Sequence, residues 1–396
     1  MKGRHAPDRP YVLDVSRLLW RLGGNRLPTG IDRVCQAYLE ALSSRSLALV
    51  QWRNLRLVMH ASPSDRLFRL LASGARRTFR LRLALLIVFS LLRRIFSAPD
   101  VRDRILLNVG HTGLNAPGLV EWLARSGMKP VYLIHDLIPI THPEYCRQGE
   151  DARHAQRMRQ ALRSAAGIIA NSVATGEELA RFAYDEGLVM PPMTVAHLGI
   201  EPLSRGKGVA PRCRPYFLCI GTIEGRKNHA LLLRVWKTLR SQMGADTPDL
   251  ILIGQRGWMA DEVFAELDAQ TEATGRVIEL SRCDDTEMAA WIANARAVLM
   301  PSHIEGYGLP VLEAMMLGAP VIANDLAVYR EIAGDVPLLL SAQDEDAWVR
   351  AVAAYTHDDG DRARQIRALK GFSPPTWQDH VSQVESWLGT LASSRA

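Results

Sequence analysis

The sequence predicts an α/β protein built from two doubly wound, Rossmann-like domains that face each other across a cleft. Apolar runs of four to seven residues alternate with helical stretches in the first half, as in "RILLNVG" and "VYLIHD". The pattern starts again after residue 215 with "YFLCIGT", "DLILIG" and "AVLMP". Continuous apolar runs separated by helices are typical of parallel strands that are covered on both faces. Two such sets therefore predict two parallel sheets, each flanked by helices.

The length of the chain agrees with two domains. Its 396 residues exceed what one hydrophobic core ordinarily holds. The segment "SRGKGVAPRCRP", 204–215, is rich in Gly, Pro and Arg and has no periodicity, so we expect it to be the linker. The predicted domains are residues 1–205 and a second domain that begins at 206.

Composition narrows the class of protein. Hydrophobic residues make up 47% and charged residues 23% of the chain, which is typical of a folded globular protein. The five cysteines are odd in number and form no CxxC pair, which argues against a disulfide framework and fits a reducing cytosol. The first residues, "MKGRHAPDRPYVLDVS", contain no apolar core of a signal peptide. We therefore expect a cytoplasmic protein.

Charge is divided unevenly between the two halves. Residues 1–210 carry 30 Lys and Arg against 17 Asp and Glu, a net charge of +13. Residues 211–396 carry 18 against 25, a net charge of −7. Such asymmetry indicates partners rather than fold: anionic lipid, nucleic acid or phosphorylated ligands. The chain has no basic stripe interleaved with aromatic residues and no named nucleic-acid motif, so we expect no nucleic-acid partner.

The stretch "HIEGYGLPVLEAMMLGAPVIA", 303–323, is the strongest candidate for a ligand site. It follows the strand "ARAVLMPS", so its loop lies where doubly wound sheets bind ligands. Pro310 suits the first position of a helix and Gly318 its C-terminal end. The positive N-terminus of that helix and its unpaired N–H groups favour an anion.

Two glutamates, Glu305 and Glu313, stand eight positions apart in this stretch. Carboxylates there can accept paired hydrogen bonds from a sugar or ribose diol. Gly306 and Gly308 allow the backbone to approach a ligand closely. The alternative interpretation is one helix-capping glutamate and one surface glutamate; the glycines, the proline and the preceding strand favour the ligand site.

A second candidate site occupies the first strand–helix unit of the second domain, "YFLCIGTIEGRKNHALLLRVWKTL". The strand ends near Gly221, and Asn228 is positioned to cap the following helix. The helix should bury one apolar stripe made by Leu231, Leu232, Val235, Trp236 and Leu239. Arg226 and Lys227 then stand at the mouth of the same cleft. Adjacent cations suit a diphosphate whose charge grows as it leaves, although they could also be solvated charges before a helix.

These segments resemble the retaining family 4 glycosyltransferases of the GT-B fold. "GTIEGRKN" and "HIEGYGLPVLEAMMLGAPVIA" resemble the family's phosphate-binding and E-x7-E segments. "GNRLPTGIDRVCQAYLEAL" is similar to its N-terminal glycine loop, and "HDLIPITHPEY" to its central histidine segment. "FSPPTWQDHVSQVESWL" is similar to the closing helix that crosses back to the N-terminal domain. The resemblance implies an acceptor domain at 1–205, a nucleotide-sugar domain at 206–375 and a crossing helix at 376–396.

The resemblance also implies roles for residues. Glu305 would contact the donor sugar, Glu313 the ribose hydroxyls, and Lys227 the donor phosphates. The family often has an arginine where Thr222 stands, and Arg226 is the candidate to replace it. The remaining expected donor contacts within the E-x7-E segment are Gly306, Tyr307, Gly308 and Leu309.

Two further roles fall in the N-terminal half. His135, which ends the strand "VYLIHD", matches the family's histidine that hydrogen-bonds the transferred sugar, so we expect His135, Glu305 and Lys227 to be the catalytic set. Gly30 would approach the diphosphate from the N-terminal side. Taken alone, His135 is more often a packed strand-end histidine and Gly30 a helix-start glycine.

The sequence predicts no metal and no bound cofactor. "DED" at 344–346 resembles a D-x-D motif, but it precedes "AWVRAVAAY", where acids complement a helix N-terminus. No His/Cys group has zinc spacing. Since no carboxylate stands out as a nucleophile, we expect front-face substitution with retention. The resemblance implies a hexosyltransferase with a nucleotide-sugar donor, GDP-mannose first, with GDP- or dTDP-deoxyhexoses and UDP-sugars as alternatives.

Residues 76–94, "RRTFRLRLALLIVFSLLRR", predict contact with a membrane surface. The apolar core 83–92 has ten residues, too few to span a bilayer, and six arginines flank it. This composition is typical of an interfacial helix on anionic lipid. A buried helix with solvated ends is the alternative. The resemblance implies a lipid-linked or oligosaccharide acceptor, so we expect a peripheral protein on the inner face of the plasma membrane.

Two other function classes remain open from the sequence. An epimerase acting on nucleotide-sugars would share the fold, but the E-x7-E segment argues against it. A non-catalytic GT-B subunit that scaffolds a membrane glycan-synthesis complex is the second, and the complete set of His135, Lys227, Glu305 and Glu313 argues against that.

Overall fold

The chain divides into two units. The computed structural model describes residues 9–24, 29–53, 55–73, 79–201, 214–269 and 276–393. The first unit comprises Met1–His135, Ala152–Leu198 and Trp377–Ala396; the second comprises Asp136–Asp151 and Gly199–Thr376. The second unit thus includes residues 136–151 in addition to the range expected for the C-terminal domain. Residues 204–213 of the predicted linker, and Arg76 and Arg77, lie outside the described residues.

The first unit is built on a sheet that is parallel except at one edge. Its strand order is β3-β2-β1-β4-β5-β6-β7, and only the β2–β3 pair in this sheet is antiparallel. The strands are β1 Tyr11–Asp14, β2 Ser46–Trp52, β3 Leu55–Val58, β4 Ile105–Asn108, β5 Lys129–Ile134, β6 Gly167–Ala170 and β7 Met193–Val195. The inner strands are buried, as their continuous apolar runs predict.

Helices cover this sheet and connect its parallel strands. They are α1 Ser16–Gly23, α2 Gly30–Leu42, α3 Ala61–Ala72, α4 Phe79–Phe96, α5 Leu119–Ser126, α7 Glu150–Ser164 and α8 Val173–Asp185. The short helix α6 Ile138–Thr141, which precedes α7 in the chain, belongs to the second unit. The last helix of the chain, α16 Trp377–Ser393, also belongs to the first unit. There the ring of His380 hydrogen-bonds the Tyr38 hydroxyl of α2 at 2.9 Å. The Tyr11 hydroxyl of β1 donates to Glu385 at 2.9 Å.

The second unit contains a fully parallel sheet in the order β10-β9-β8-β11-β12-β13. Its strands are β8 Tyr216–Ile220, β9 Asp249–Ile253, β10 Val277–Leu280, β11 Val298–Met300, β12 Val321–Asn324 and β13 Leu338–Leu340. Its helices are α9 His229–Met243, α10 Asp261–Ala269, α11 Asp285–Asn294, α12 Leu309–Met316, α13 Ala327–Ala333, α14 Glu345–Tyr355 and α15 Gly360–Leu369. The order reverses between β8 and β11, which is where such sheets bind ligands.

This architecture confirms the predicted fold class of two Rossmann-like parallel sheets. The predicted apolar stripe of α9 is also confirmed. Leu231, Leu232, Val235, Trp236 and Leu239 are each at most 3% exposed and pack into one core with β8 and β9. The "DED" acids begin α14 as predicted, because the side chain of Asp344 accepts a hydrogen bond from the Ala347 N–H at 2.9 Å.

Helix α4 carries the apolar core of the basic segment, and most of that core faces outward. Its inward stripe is narrow and consists of Phe79, Leu83, Leu86, Ile87 and Ser90. The exposed apolar residues are Leu81, Leu85, Val88, Phe89, Leu91, Leu92, Ile95 and Phe96, with exposed fractions between 36% and 88%. The alternative interpretation of a buried core helix is therefore wrong. Among the described residues, no helix combines the length and hydrophobicity needed to cross a membrane.

Candidate active site

The loop after β8 brings two cations to the carboxyl edge of the second sheet. Gly221 ends the strand with φ of 136°, and Gly225–Lys227 form a single helical turn before α9. Asn228 then adopts a left-handed conformation with φ of 53°. Its side chain donates to the Pro301 carbonyl at 3.3 Å and makes no capping bond, so the prediction that Asn228 caps α9 is wrong.

The loop after β11 lies beside the first and leads into α12. Gly308 has φ of 101°, and a Cβ at this position would lie 2.5 Å from a ring carbon of Tyr329. Only glycine fits there without a shift of that ring. Helix α12 begins at Leu309, so Pro310 occupies its second position rather than the predicted first. Gly318, with φ of 79°, follows the end of the helix as predicted.

The two loops are joined by the carboxylate of Glu305. Lys227 Nζ donates to it at 2.5 Å and Arg226 Nη1 at 2.8 Å. The Ser302 hydroxyl donates to the same carboxylate at 2.7 Å. The side chain of Glu305 is only 7% exposed and that of Lys227 10% exposed, so water screens these pairs little. Three residues predicted to act on the donor are thus joined in one cluster, with Glu305 in contact with both cations.

Arg226 extends this cluster to a second acid. Its Nε lies 2.6 Å from Glu224 Oε1, and its Nη1 also donates to the Ile304 carbonyl at 3.2 Å. In return, the His303 N–H donates to the Arg226 carbonyl at 2.8 Å. Because Arg226 binds both loops through its backbone and its guanidinium, its orientation is determined before any ligand arrives.

The pKa values of the two acids in this cluster shift in opposite directions, because burial and the neighbouring cations oppose each other with different strengths. Burial disfavours the charged form of Glu305, but Lys227 and Arg226 outweigh burial and lower the pKa of its carboxyl to about 2. Burial raises the pKa of Glu224, and the opposing effect of Arg226 and Lys227 is smaller. Glu305 is therefore a firmly ionised group that accepts hydrogen bonds, and it is poorly suited to act as an acid.

Glu313 and the rest of the E-x7-E segment are also placed by this loop. Glu313 lies one turn inside α12 and is 8% exposed. Tyr307 is buried at 5% exposure, while Gly306 and Leu309 are half-buried at the start of the helix. All of them lie at the carboxyl edge of the second sheet, as predicted.

His135 lies in the first unit, at the carboxyl end of β5. Its ring is buried, and Nε2 donates to the Val109 carbonyl at 2.7 Å, which requires the proton on Nε2. The ring centroid of His111 is 5.1 Å away. The carbonyl of His135 accepts a hydrogen bond from the Asn171 side chain at 2.8 Å. These contacts determine both the tautomer and the orientation of the imidazole.

Gly30 is the first residue of α2, as the sequence predicts. The preceding Thr29 and Asp32 form a capping box, in which the Thr29 N–H donates to the Asp32 carboxylate at 2.7 Å. Arg17 and Arg21 of α1 pair with the same carboxylate at 2.6 and 2.9 Å. The glycine therefore lies at a capped helix N-terminus, close to two cations of α1.

Residues 136–151 contribute aromatic contacts to the second unit that the sequence did not predict. The ring of Tyr145 stacks on His303 with centroids 5.2 Å apart and an interplanar angle of 8°. The indole N–H of Trp258 donates to the Tyr145 carbonyl at 3.2 Å, and Arg147 lies over the Trp258 ring at 5.1 Å. Nothing in the local sequence pattern of 136–151 indicates that this segment belongs to the second unit.

Two polar members of the cluster, Glu224 and Ser302, were also missed. Both lie in segments already recognised as strand-end loops, Glu224 two residues before Arg226 and Ser302 three before Glu305. That spacing within a loop at the carboxyl edge of a parallel sheet was the available signal.

The two units, each built on a largely parallel sheet, have the GT-B fold, which solved structures share. One similar solved structure is Anabaena HepE in complex with UDP and glucose, with a TM-score of 0.65 and 17% identity over 96% of this chain and 99% of that chain. Another is a sucrose-phosphate synthase from Thermosynechococcus elongatus, with a TM-score of 0.62 and 18% identity over 97% and 99% of the two chains.

The sequence comparisons then identify the family. Residues 201–371 match the family described as "Glycosyl transferases group 1". The O-antigen chain mannosyltransferase B of Escherichia coli is 30% identical over 272 residues, 65% of this chain and 69% of that protein. The serotype-specific mannosyltransferase WbdA of Escherichia coli is 25% identical over 74% of this chain. The matched region makes up 38% of the length of WbdA. The chain belongs to the group 1 glycosyltransferases and is an enzyme of that kind.

Replacing Glu305 by Gln should make the protein less stable in a pH-dependent way. The pKa of Glu305 lies near 2 in the folded protein, below its ordinary value of 4.5, so its stabilising effect is complete above pH 4.5 and is lost as pH falls towards 2. The free energy of unfolding in urea should therefore drop on the order of 2–3 kcal/mol at pH 7. The difference should shrink at pH 3.5.

The matched control is Glu345→Gln, which breaks the exposed pair with Arg234. It should change stability by less than about 1 kcal/mol. A loss for Glu305→Gln that is equal at pH 7 and pH 3.5 would contradict the charge assignment.

Proposed function

We propose that the protein is a retaining, metal-independent mannosyltransferase that transfers mannose from GDP-mannose to a lipid-linked or growing surface-polysaccharide acceptor. The observation that carries the proposal is the pair of cations, Lys227 and Arg226, held against Glu305 at the carboxyl edge of the second sheet. The choice of mannose is supported by the two similar Escherichia coli proteins, whose names are those of mannosyltransferases.

The donor would bind with its diphosphate near the cations and its ribose near Glu313. The N-terminus of α12 adds N–H groups and a positive dipole end to the same edge. Glu305 already accepts bonds from both cations, so the diphosphate would share the cations with it. The leaving nucleoside diphosphate gains negative charge in the transition state, and these cations stabilise that charge without a metal ion.

The chemistry of Glu305 supports retention by front-face substitution. A carboxylate with a pKa near 2 that is bound to two cations is a weak nucleophile, but it can accept hydrogen bonds from sugar hydroxyls. In a front-face step, the acceptor oxygen bonds to the anomeric carbon while the bond from that carbon to the phosphate oxygen breaks on the same face. The acceptor proton passes to the departing phosphate oxygen. His135 would hydrogen-bond the transferred mannose.

The experiment that tests the function is a donor scan with product analysis. Purified enzyme is incubated with GDP-mannose, a GDP-deoxyhexose, a dTDP-deoxyhexose and a UDP-hexose, with and without a mannose-terminated acceptor. We expect transfer from GDP-mannose, an α-linked product by NMR and the same rate in EDTA. An inverted linkage, a requirement for divalent metal, or a covalent glycosyl-enzyme adduct found by mass spectrometry would contradict the mechanism.

Lys227→Ala should weaken binding of the donor and of GDP. Loss of a charge-assisted contact to phosphate costs on the order of 1.5–3 kcal/mol, roughly ten- to a hundredfold in Kd. Titration calorimetry with GDP measures this directly. The control is Lys237→Ala, which removes the same charge from an exposed position on α9. Equal GDP affinity for the two variants would show that Lys227 does not bind phosphate.

Glu305→Gln and Glu313→Gln should separate sugar contacts from ribose contacts. Glu313→Gln removes an acceptor for the ribose hydroxyls, so it should raise the Kd for GDP. Glu305→Gln removes a negative charge beside the cations, so GDP should bind no more weakly while kcat falls. If both variants change GDP binding and kcat in the same way, the assigned roles are wrong.

The exposed face of α4 supports docking on an anionic membrane at the inner face of the plasma membrane. Eight large apolar side chains of this helix face outward, an arrangement that water disfavours. Exposed arginines stand at both ends, Arg80 and Arg82 at the start and Arg93 and Arg94 near the finish. The apolar stretch of ten residues is about 15 Å long, half of a bilayer core, so α4 would lie along the surface.

Arg82→Ser with Arg93→Ser should reduce binding to anionic vesicles. Each arginine near such a surface contributes about 1 kcal/mol, so the double variant should bind roughly thirtyfold more weakly at low salt. Co-sedimentation with vesicles containing phosphatidylglycerol measures the change. The matched control, Arg66→Ser with Arg69→Ser, removes two exposed charges from α3. Equal binding by the two double variants would contradict the assignment of α4.

A further inference from the structure

A deep groove opens in the first unit between α1, the β2–β3 hairpin and α4. Its volume is ≈ 610 Å³, within the range of roughly 300–1,000 Å³ in which small ligands bind. Its walls are made by side chains from all three elements: Leu19, Val50, Leu57, Phe79, Leu83 and Ile87.

The chemistry of the groove favours a hydrocarbon chain. Its lining is apolar apart from Gln51 and Arg80. The amide nitrogen of Gln51 is directed to the Asp14 carboxylate at 2.6 Å. A sugar or nucleotide bound in such a groove would lose its hydrogen bonds to water and find few replacements. An alkyl or polyprenyl chain gains about 0.8 kcal/mol for each methylene group removed from water.

The rim of the groove has the residues that suit a lipid at a membrane surface. Trp20 and Trp52 line it with their rings 4.9 Å apart, and they are 52% and 55% exposed. Tryptophan is enriched where hydrocarbon meets water at membranes. Arg80 donates one N–H to the Gly23 carbonyl at 2.7 Å, and a guanidinium has five such donors. A phosphate at the rim would therefore meet a cation that is already held in place.

We propose that this groove binds the hydrocarbon chain of the lipid that carries the acceptor, with the lipid phosphate at Arg80. The proposal rests on the proposed function, because it names the lipid part of that acceptor. Two observations select this occupant. The cations of α4 complement a lipid phosphate, and the helix that would rest on the membrane also forms a wall of the groove through Leu83 and Ile87.

The position of the groove also limits the length of the acceptor glycan. It lies at the carboxyl end of β2, and His135 follows β5, three strands further along the same sheet. Strands spaced about 4.8 Å apart place these two ends roughly 14 Å from each other. A chain held in the groove thus allows only a short glycan between the lipid phosphate and the sugar that reacts.

The test is calorimetric titration of the full chain with decyl phosphate, using inorganic phosphate as the headgroup control. Ile87→Trp fills the groove, whereas Val88→Trp makes the same change on the outer face of α4. We expect Ile87→Trp to weaken decyl phosphate binding about tenfold. The added ring would displace part of the decyl chain from the groove, and displacement of two methylene groups is enough to lower the affinity by about that factor. Val88→Trp should bind like the parent, and inorganic phosphate should bind to neither variant.

Trp52→Ala, a change at an exposed position, provides a second variant that should also weaken decyl phosphate binding. Equal affinity of the parent, Ile87→Trp and Trp52→Ala would overturn the proposal. Loss of binding to lipid vesicles by Ile87→Trp would also overturn it, because the groove would then hold bulk membrane lipid. These titrations involve no sugar transfer, so they give a result even if the proposed donor or mechanism is wrong.

Discussion

The buried contact between Glu305 and the two cations is the interaction on which the arrangement of the second unit's site depends. Lys227 and Glu305 are 78 residues apart in the chain, and their pairing joins the loop after β8 to the loop after β11. Without the carboxylate, two adjacent cations would repel each other in a site with little water. Glu305 thus keeps both cations in position at the switch point of the sheet, and α12 starts at Leu309, four positions later.

Much of the fold could be predicted from the sequence, because strand and helix periods are local. The apolar stripe of α9 and the strand-end location of Glu305 and Lys227 follow from such patterns. The contact between these two residues could not be predicted, because it depends on the order of β8 and β11 in the sheet. Asn228 shows a second limit: its type suits a helix cap, but a left-handed backbone turns its side chain towards Pro301.

Net charge is a poor guide to this site. The half of the chain that contains Lys227 and Arg226 has a net charge of −7. Its cationic site arises from geometry, since two strand-end loops and a helix N-terminus point to one place. In the basic half, by contrast, charge and exposure coincide, because the arginines of α4 flank an apolar face that is itself uncovered. In the first half of the chain, the positive net charge therefore reflects an exposed basic surface. In the second half, the negative net charge gives no sign of the buried cationic cluster.

The division of the chain also affects how the protein could be taken apart. Residues 136–151 belong to the second unit, although the chain on either side of them belongs to the first, and α16 returns to the first unit at the end. A gene split at the predicted linker would therefore produce two fragments, neither of which contains a whole unit. The C-terminal fragment would lack Tyr145, the stacking partner of His303, and the N-terminal fragment would lack the helix that packs on Tyr38. Each unit thus contains a segment that is encoded in the other half of the chain.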